Sequence, residues 1–170
     1  MLIITSILVL GIPASAQDYG KPEIISWMAL ADYFPRLLNG EPADKDIEGT
    51  NHNAGPASTS EASCVYGTGR YTLTMKYAPE NQTTRQSYFT MSRRRAVDGN
   101  AVRDGNSRRF TISGFTAYGE YDQFAKTATV TVYLDNSVFV CVKVTNAKGM
   151  DDASVVFRAI EIDEINKLTS

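Results

Sequence analysis

The stretch that most constrains the fold is Thr127 to Thr145, TATVTVYLDNSVFVCVKVT, two alternating runs joined by Asp135-Asn136-Ser137. In the first run Ala128, Val130, Val132 and Leu134 fall on one side, and Thr127, Thr129, Thr131 and Tyr133 on the other, the two-residue period of a half-buried strand. In the second, Val138, Val140, Val142 and Val144 oppose Phe139, Cys141 and Lys143. Loop length decides how the runs meet. A two-residue loop would set the valines of one strand beside Phe139 and Lys143 of the other. A three-residue loop pairs Leu134 with Val138, Val132 with Val140 and Val130 with Val142. It gathers the aliphatic residues on one face and lets Asn136 or Ser137 take the left-handed position such loops need. Cys141 then lies opposite Thr131, on the face away from the aliphatic core.

A second hairpin is predicted from Ala62 to Tyr77 across Gly67-Thr68-Gly69. A three-residue turn pairs Val65 with Tyr71 and Cys64 with Thr72, which places Cys64 on the threonine-bearing face as well. Both cysteines are thus expected on one kind of face, and a Cys64–Cys141 disulfide between neighbouring strands follows. Closing a loop of about 78 residues would stabilise the fold by roughly 4 kcal/mol on chain-entropy grounds.

The pairing of cysteines suits an exported chain. Leu2 to Ile12 form an apolar run too short to span a bilayer, and Ala14-Ser15-Ala16 offers the small residues of a signal-peptidase site, although no Lys or Arg precedes the run. Residues 1–16 are therefore expected to be a cleaved signal peptide and residues 17–170 a single exported domain, periplasmic or extracellular. Its length of about 150 residues is enough for one core. No other segment is apolar enough to cross a membrane once the signal is removed.

Pro22-Glu23 is a plausible helix start, with Ile24, Ile25, Met28 and Leu30 near helical spacing, a kink by Pro35, and a short second helix through Leu38 closed by Asn39-Gly40. Glu41 to Ser60, which contains His52, has no periodicity and reads as a long loop. Gln82 to Val97 reads as a surface helix. In Arg109 to Tyr121 the apolar phase shifts at Ser113-Gly114, as a β-bulge would make it. Asp151-Asp152 opens a final helix, although Ile160, Ile162 and Ile165 do not keep to one stripe.

The expected architecture is an α+β domain: an antiparallel sheet of about five strands, a hairpin plus a three-strand meander, with N- and C-terminal helices on its aliphatic face and one disulfide. This order of elements resembles the general layout of small exported α/β sandwich domains of the PsbP-like kind. The likeness is one of topology without a shared motif, so it transfers neither function nor residues.

The chemistry-bearing residues are sparse. One histidine and two distant cysteines give no zinc pattern, and neither a phosphate-binding glycine loop nor a nucleophile elbow is present, so no metal or cofactor is expected. Glu120 and Asp122 are the carboxylates nearest to a glycosidase-like pair. Net charge is -2, so no global field draws nucleic acid, but the arginines cluster: Arg85, Arg93, Arg94, Arg95, Arg103, Arg108 and Arg109. Guanidinium groups recognise carboxylates and phosphates, which makes an acidic protein or an anionic envelope component the expected partner. The functional expectation is an exported, non-catalytic binding protein of the inhibitor or immunity type. The alternative is a secreted enzyme, a hydrolase for example, with a carboxylate site.

Overall fold

A computed structural model describes residues 24–54, 58–78 and 107–168. The proposed signal peptide, the Gln82 to Val97 helix and Arg85, Arg93, Arg94, Arg95 and Arg103 lie outside them.

Within these bounds the chain is mostly β-structure. Strands β1 (Leu37–Leu38) and β2 (Glu41–Pro42) form a small hairpin. The remaining strands are β3 (Glu48–His52), β4 (Thr59–Tyr66), β5 (Tyr71–Tyr77), β6 (Ser107–Ile112), β7 (Phe115–Asp122), β8 (Thr127–Tyr133) and β9 (Val138–Thr145). They make one seven-stranded antiparallel sheet in the order β3-β4-β5-β9-β8-β7-β6. Helical structure is short: α1 (Trp27–Ala31), α2 (Asp151–Ser154), a 3-10 segment (Val155–Ala159) and α3 (Ile162–Ile165). The expected five-strand α+β layout is therefore corrected to a β-dominated one. Among the described residues no helix is long and apolar enough to cross a membrane.

The central hairpin has the three-residue register. Val130 pairs with Val142 and Val132 with Val140, Leu134 N–H donates to the Val138 carbonyl at 2.9 Å, and Ser137 takes the left-handed conformation at φ 65°. Strand β9 then pairs with β5, setting Leu73 beside Val142 and Met75 beside Val140. Two meanders, β3-β4-β5 and β6-β7-β8-β9, thus become one sheet with a continuous aliphatic face. Over that face lie Leu30 of α1 and Ala153, Val156, Phe157, Ile162 and Ile165 of the C-terminal segments, all in one core cluster.

Several turns differ from expectation, each for a local reason. The β4-β5 turn has four residues, Gly67 to Arg70, so Tyr66 pairs with Tyr71 and Cys64 with Leu73. Gly67, Thr68 and Gly69 all have positive φ, and the Asp44 carboxylate holds the turn by accepting the Thr68 and Gly69 backbone N–H groups at 2.7 Å each. A one-residue longer turn moves every β4 side chain to the other face. Cys64 is therefore buried in the aliphatic core, whereas Cys141, paired with Thr74 on β5, sits on the opposite face. Leu73 and Thr74 are consecutive, so the sheet itself separates the two thiols. The expected Cys64–Cys141 disulfide is overturned, and both cysteines are free.

At Ser113-Gly114 both residues have positive φ, 50° and 83°, and Ile112 pairs with Phe115. This is a two-residue reversal of the primed kind rather than a bulge, and it turns the three-strand meander into four strands. Asn39-Gly40, at φ 53° and 86°, makes the same reversal between β1 and β2 where a helix end was expected. Glu48–His52 pairs along β4 although the segment has no apolar alternation. As an edge strand exposed at every residue it needs none. Finally, Ile160 is extended, at φ -111° and ψ 127°, and breaks the expected last helix. Residues 160 and 162 stand about 200° apart on a helix, so the extended residue is what allows both isoleucines into the core.

Helix α1 begins at Ser26, whose hydroxyl accepts the Ala29 N–H at 3.2 Å. The Trp27 backbone N–H donates to Asn51 Oδ1 at 2.9 Å, and the Trp27 ring lies on Gly49, where any Cβ would collide with it. Gly49→Ala is expected to lower the unfolding free energy by about 1–3 kcal/mol, since the indole must leave its seat; urea denaturation followed by Trp27 fluorescence checks it. For the thiols, titration of the unfolded, unreduced protein should count two per chain, and reductant should leave the urea midpoint unchanged.

Candidate functional site

The face of the sheet away from the core is built by the same alternation that builds the core. On β8, Thr127, Thr129 and Thr131 point opposite to the buried Ala128, Val130 and Val132. On β5, Thr72, Thr74 and Lys76 alternate with Leu73 and Met75. Register aligns such residues into rows that cross all seven strands. One row reads Glu48, Ser63, Thr74, Cys141, Thr131, Tyr118, Arg109. The row on one side of it is Thr50, Glu61, Lys76, Phe139, Tyr133, Thr116, Thr111. On its other side Val65, Thr72, Lys143, Thr129, Glu120 and Ser107 are aligned. Neighbouring strands lie about 4.8 Å apart and same-face residues about 7 Å apart along each strand, so this is a lattice of parallel side chains.

Hydroxyl groups dominate it. Ser63 Oγ and Thr74 Oγ1 are 3.2 Å apart, and Ser63 also donates to the Leu73 carbonyl at 3.3 Å. Glu61 and Lys76 pair at 3.3 Å across β4 and β5. Both remain partly exposed, so the pair contributes at most about 1 kcal/mol and chiefly fixes where the charges stand. Phe139 and Tyr133 meet edge to face, with centroids 5.2 Å apart, and with Ala78 and Tyr118 form a small apolar cluster separate from the main core. Lys143 and Arg109 are the exposed cations of the face.

Of the arginines predicted to contact a partner, Arg108 and Arg109 are described, and as consecutive strand residues they point to opposite faces. Arg108 lies on the core side, ion-paired with Asp151 at the start of α2 and 5.3 Å above the Phe110 ring, so it fastens β6 to the C-terminal segment. Arg109 lies on the hydroxyl face, 3.5 Å from Thr116 Oγ1. The structure thus separates these two arginines instead of bringing them together. Asp122 is engaged by the β7-β8 turn, its Oδ1 accepting the Phe124 and Ala125 N–H groups at 2.8 Å each. His52 stands exposed on β3. Among the described residues no three histidine, cysteine or acidic side chains gather as a metal site would require.

Lys143, Lys76 and Glu61 were not singled out by sequence reasoning as site residues. The signal that could have found them is the alternation itself, which already put Lys76 and Lys143 beside threonines. What was missing was the β5-β9 pairing that joins the two hairpins, a long-range contact with no local signature.

Both thiols are poor nucleophiles here. Burial pushes the Cys141 thiol up, outweighing the Thr131 hydrogen bond and the Lys143 charge that pull it down. Burial likewise raises Cys64, whose sulfur lies 3.6 Å from the Lys45 carbonyl, and raises the Tyr66 phenol beside it. Groups with raised folded values hold their protons more tightly folded than unfolded. They leave stability untouched below the unfolded thiol range, near about pH 8.5, and withdraw it as pH rises through the folded values. Unfolding free energy from urea titrations should therefore fall from pH 8 to pH 10, and Cys141→Ser should flatten that slope.

Comparison of the chain with protein-family models, with curated proteins and with solved structures returns no match, so the hydroxyl-bearing face stands as the ground for a functional reading.

Proposed function

We propose that the protein is an exported, non-catalytic binding protein of the inhibitor or immunity type, which holds an acidic protein partner against the hydroxyl face of its sheet. The observation that carries this reading is the seven-strand lattice itself. Catalysis needs groups that converge on one reacting atom inside a concave site. Side chains on a sheet face stand parallel, at repeat distances that match another extended surface. Threonine and serine hydroxyls both donate and accept, so they satisfy a partner's polar groups without demanding one charge pattern. Lys143 in the middle of the face and Arg109 on its edge strand supply attraction for carboxylates. Export is supported by the Leu2 to Ile12 run and the Ala14-Ser15-Ala16 site.

The test is affinity capture from an extract of the producing cell's envelope and medium, with wild-type protein and a Lys143→Glu/Arg109→Glu variant of equal thermal stability. At least a tenfold loss of a retained protein by the variant is the expected result. Equal retention by both forms counts against this face. Selective binding to anionic lipid vesicles in place of any protein would move the partner to the envelope surface.

A further inference from the structure

Independently of the hydroxyl face, the two edges of the sheet differ in a way that points to a partner. Strands β3 and β6 end the sheet, and no strand lies beyond either among the described residues. Such edges carry backbone N–H and C=O groups ready to pair with another strand. Strand β6 is guarded. It carries Arg108, ion-paired with Asp151, on one face and the exposed Arg109 on the other, and a strand added beside it would have to desolvate or oppose these cations.

Strand β3 is the opposite case. It reads Glu48-Gly49-Thr50-Asn51-His52, every residue is exposed, and it contains neither lysine nor proline. Its sequence is self-complementary. Antiparallel pairing about a two-fold axis through Thr50 sets Glu48 of each copy against His52 of the other, Gly49 against Asn51, and Thr50 against itself. Each Glu48 carboxylate can then accept an N–H from an imidazole, twice per dimer, and the threonine pair contributes on the axis. A two-fold perpendicular to the sheet also keeps Glu48, Thr50 and His52 on the same side in both copies, so the hydroxyl face runs on without a break. On the other side α1 packs on the edge, with the Trp27 ring seated on Gly49 and the Trp27 backbone N–H donating to Asn51 Oδ1, and leaves Met28 60% exposed. The edge is thus stiffened in extended form, with apolar surface on the helix that braces it.

We propose that two copies of this chain associate through β3, in antiparallel register about Thr50, to form one continuous fourteen-stranded sheet. The pairing is isologous, so it closes at a dimer.

The register makes a cross-linking test sharp. Residues facing each other in an antiparallel pair have Cα atoms about 4.5–5.5 Å apart, within disulfide range, so Thr50→Cys in the full chain should form a covalent dimer under mild oxidation. In Glu48→Cys the two new cysteines would be about 13 Å apart, four residues out of register, and should not cross-link. Cys64 and Cys141 are common to both variants and give the background. Sedimentation velocity supplies the second arm. Wild type should be a dimer whose dissociation constant rises at least tenfold in Glu48→Lys and recovers in Glu48→Lys/His52→Glu, where the charges are exchanged. A wild-type monomer at every concentration up to about 100 μM, a weak affinity on the usual scale, overturns the proposal. So does a dimer indifferent to Glu48→Lys, or equal cross-linking of the two cysteine variants.

Discussion

The pairing of β9 with β5 is the contact on which the rest depends. Each meander alone has a half-covered aliphatic face and two open edges. Joined through Leu73 with Val142 and Met75 with Val140, they share one face wide enough for the short helices to cover. Val130, Val132, Val140, Val142 and Val144 are completely buried there, and β-branched side chains suit the pleated surface on which they pack. Helices of four or five residues do not stand by themselves. They exist here because the sheet offers Leu30, Phe157, Ile162 and Ile165 a common core.

The same pairing writes the hydroxyl face. Once Leu73 and Val142 are neighbours on one side, Thr74 and Cys141 must be neighbours on the other, and the rows from Glu48 to Arg109 follow from register. Core and candidate binding face are thus two sides of one set of hydrogen bonds. This separation also settles the cysteines. Cys64 and Cys141 lie on strands with only β5 between them, close in the sheet's plane, yet its two faces keep them apart.

Local alternation made much of this legible from sequence. The β8-β9 register was readable because three residues, Asp135 to Ser137, were the only loop that kept all the valines together. Here the loop is fixed further from outside: the Asn136 side-chain amide donates to the Ile165 carbonyl at 2.8 Å, and the Asp135 N–H donates to Asn166 Oδ1 at 2.9 Å. The β4-β5 turn misled, because Arg70 looks like the start of a strand, and the acceptor that stabilises the four-residue turn is Asp44, far back in the chain. One misplaced residue there carried Cys64 across the sheet and created a disulfide that the structure does not form. Strand β3 was illegible for another reason. An exposed edge strand is held by backbone bonds and by Trp27 on Gly49, and it leaves no hydrophobic period to read. Of the candidate site, the threonines and Lys143 were visible as a face, but their assembly into rows needed the long-range β5-β9 contact.

The edges show why an aperiodic segment is not an uninformative one. A strand whose side chains bury nothing is free of core constraints, so its composition reflects what it meets outside the fold. On β6 that composition is arginine on both faces, one fastened to Asp151 and one left on the hydroxyl side. Each cation would have to be desolvated or opposed before a second strand could join. On β3 no such obstacle stands: the charges are one acid and one imidazole placed symmetrically about a threonine, and Gly49 admits the indole that braces the strand. The two ends of a single sheet are therefore not equivalent as surfaces, and the difference arises where the core imposes no pattern at all.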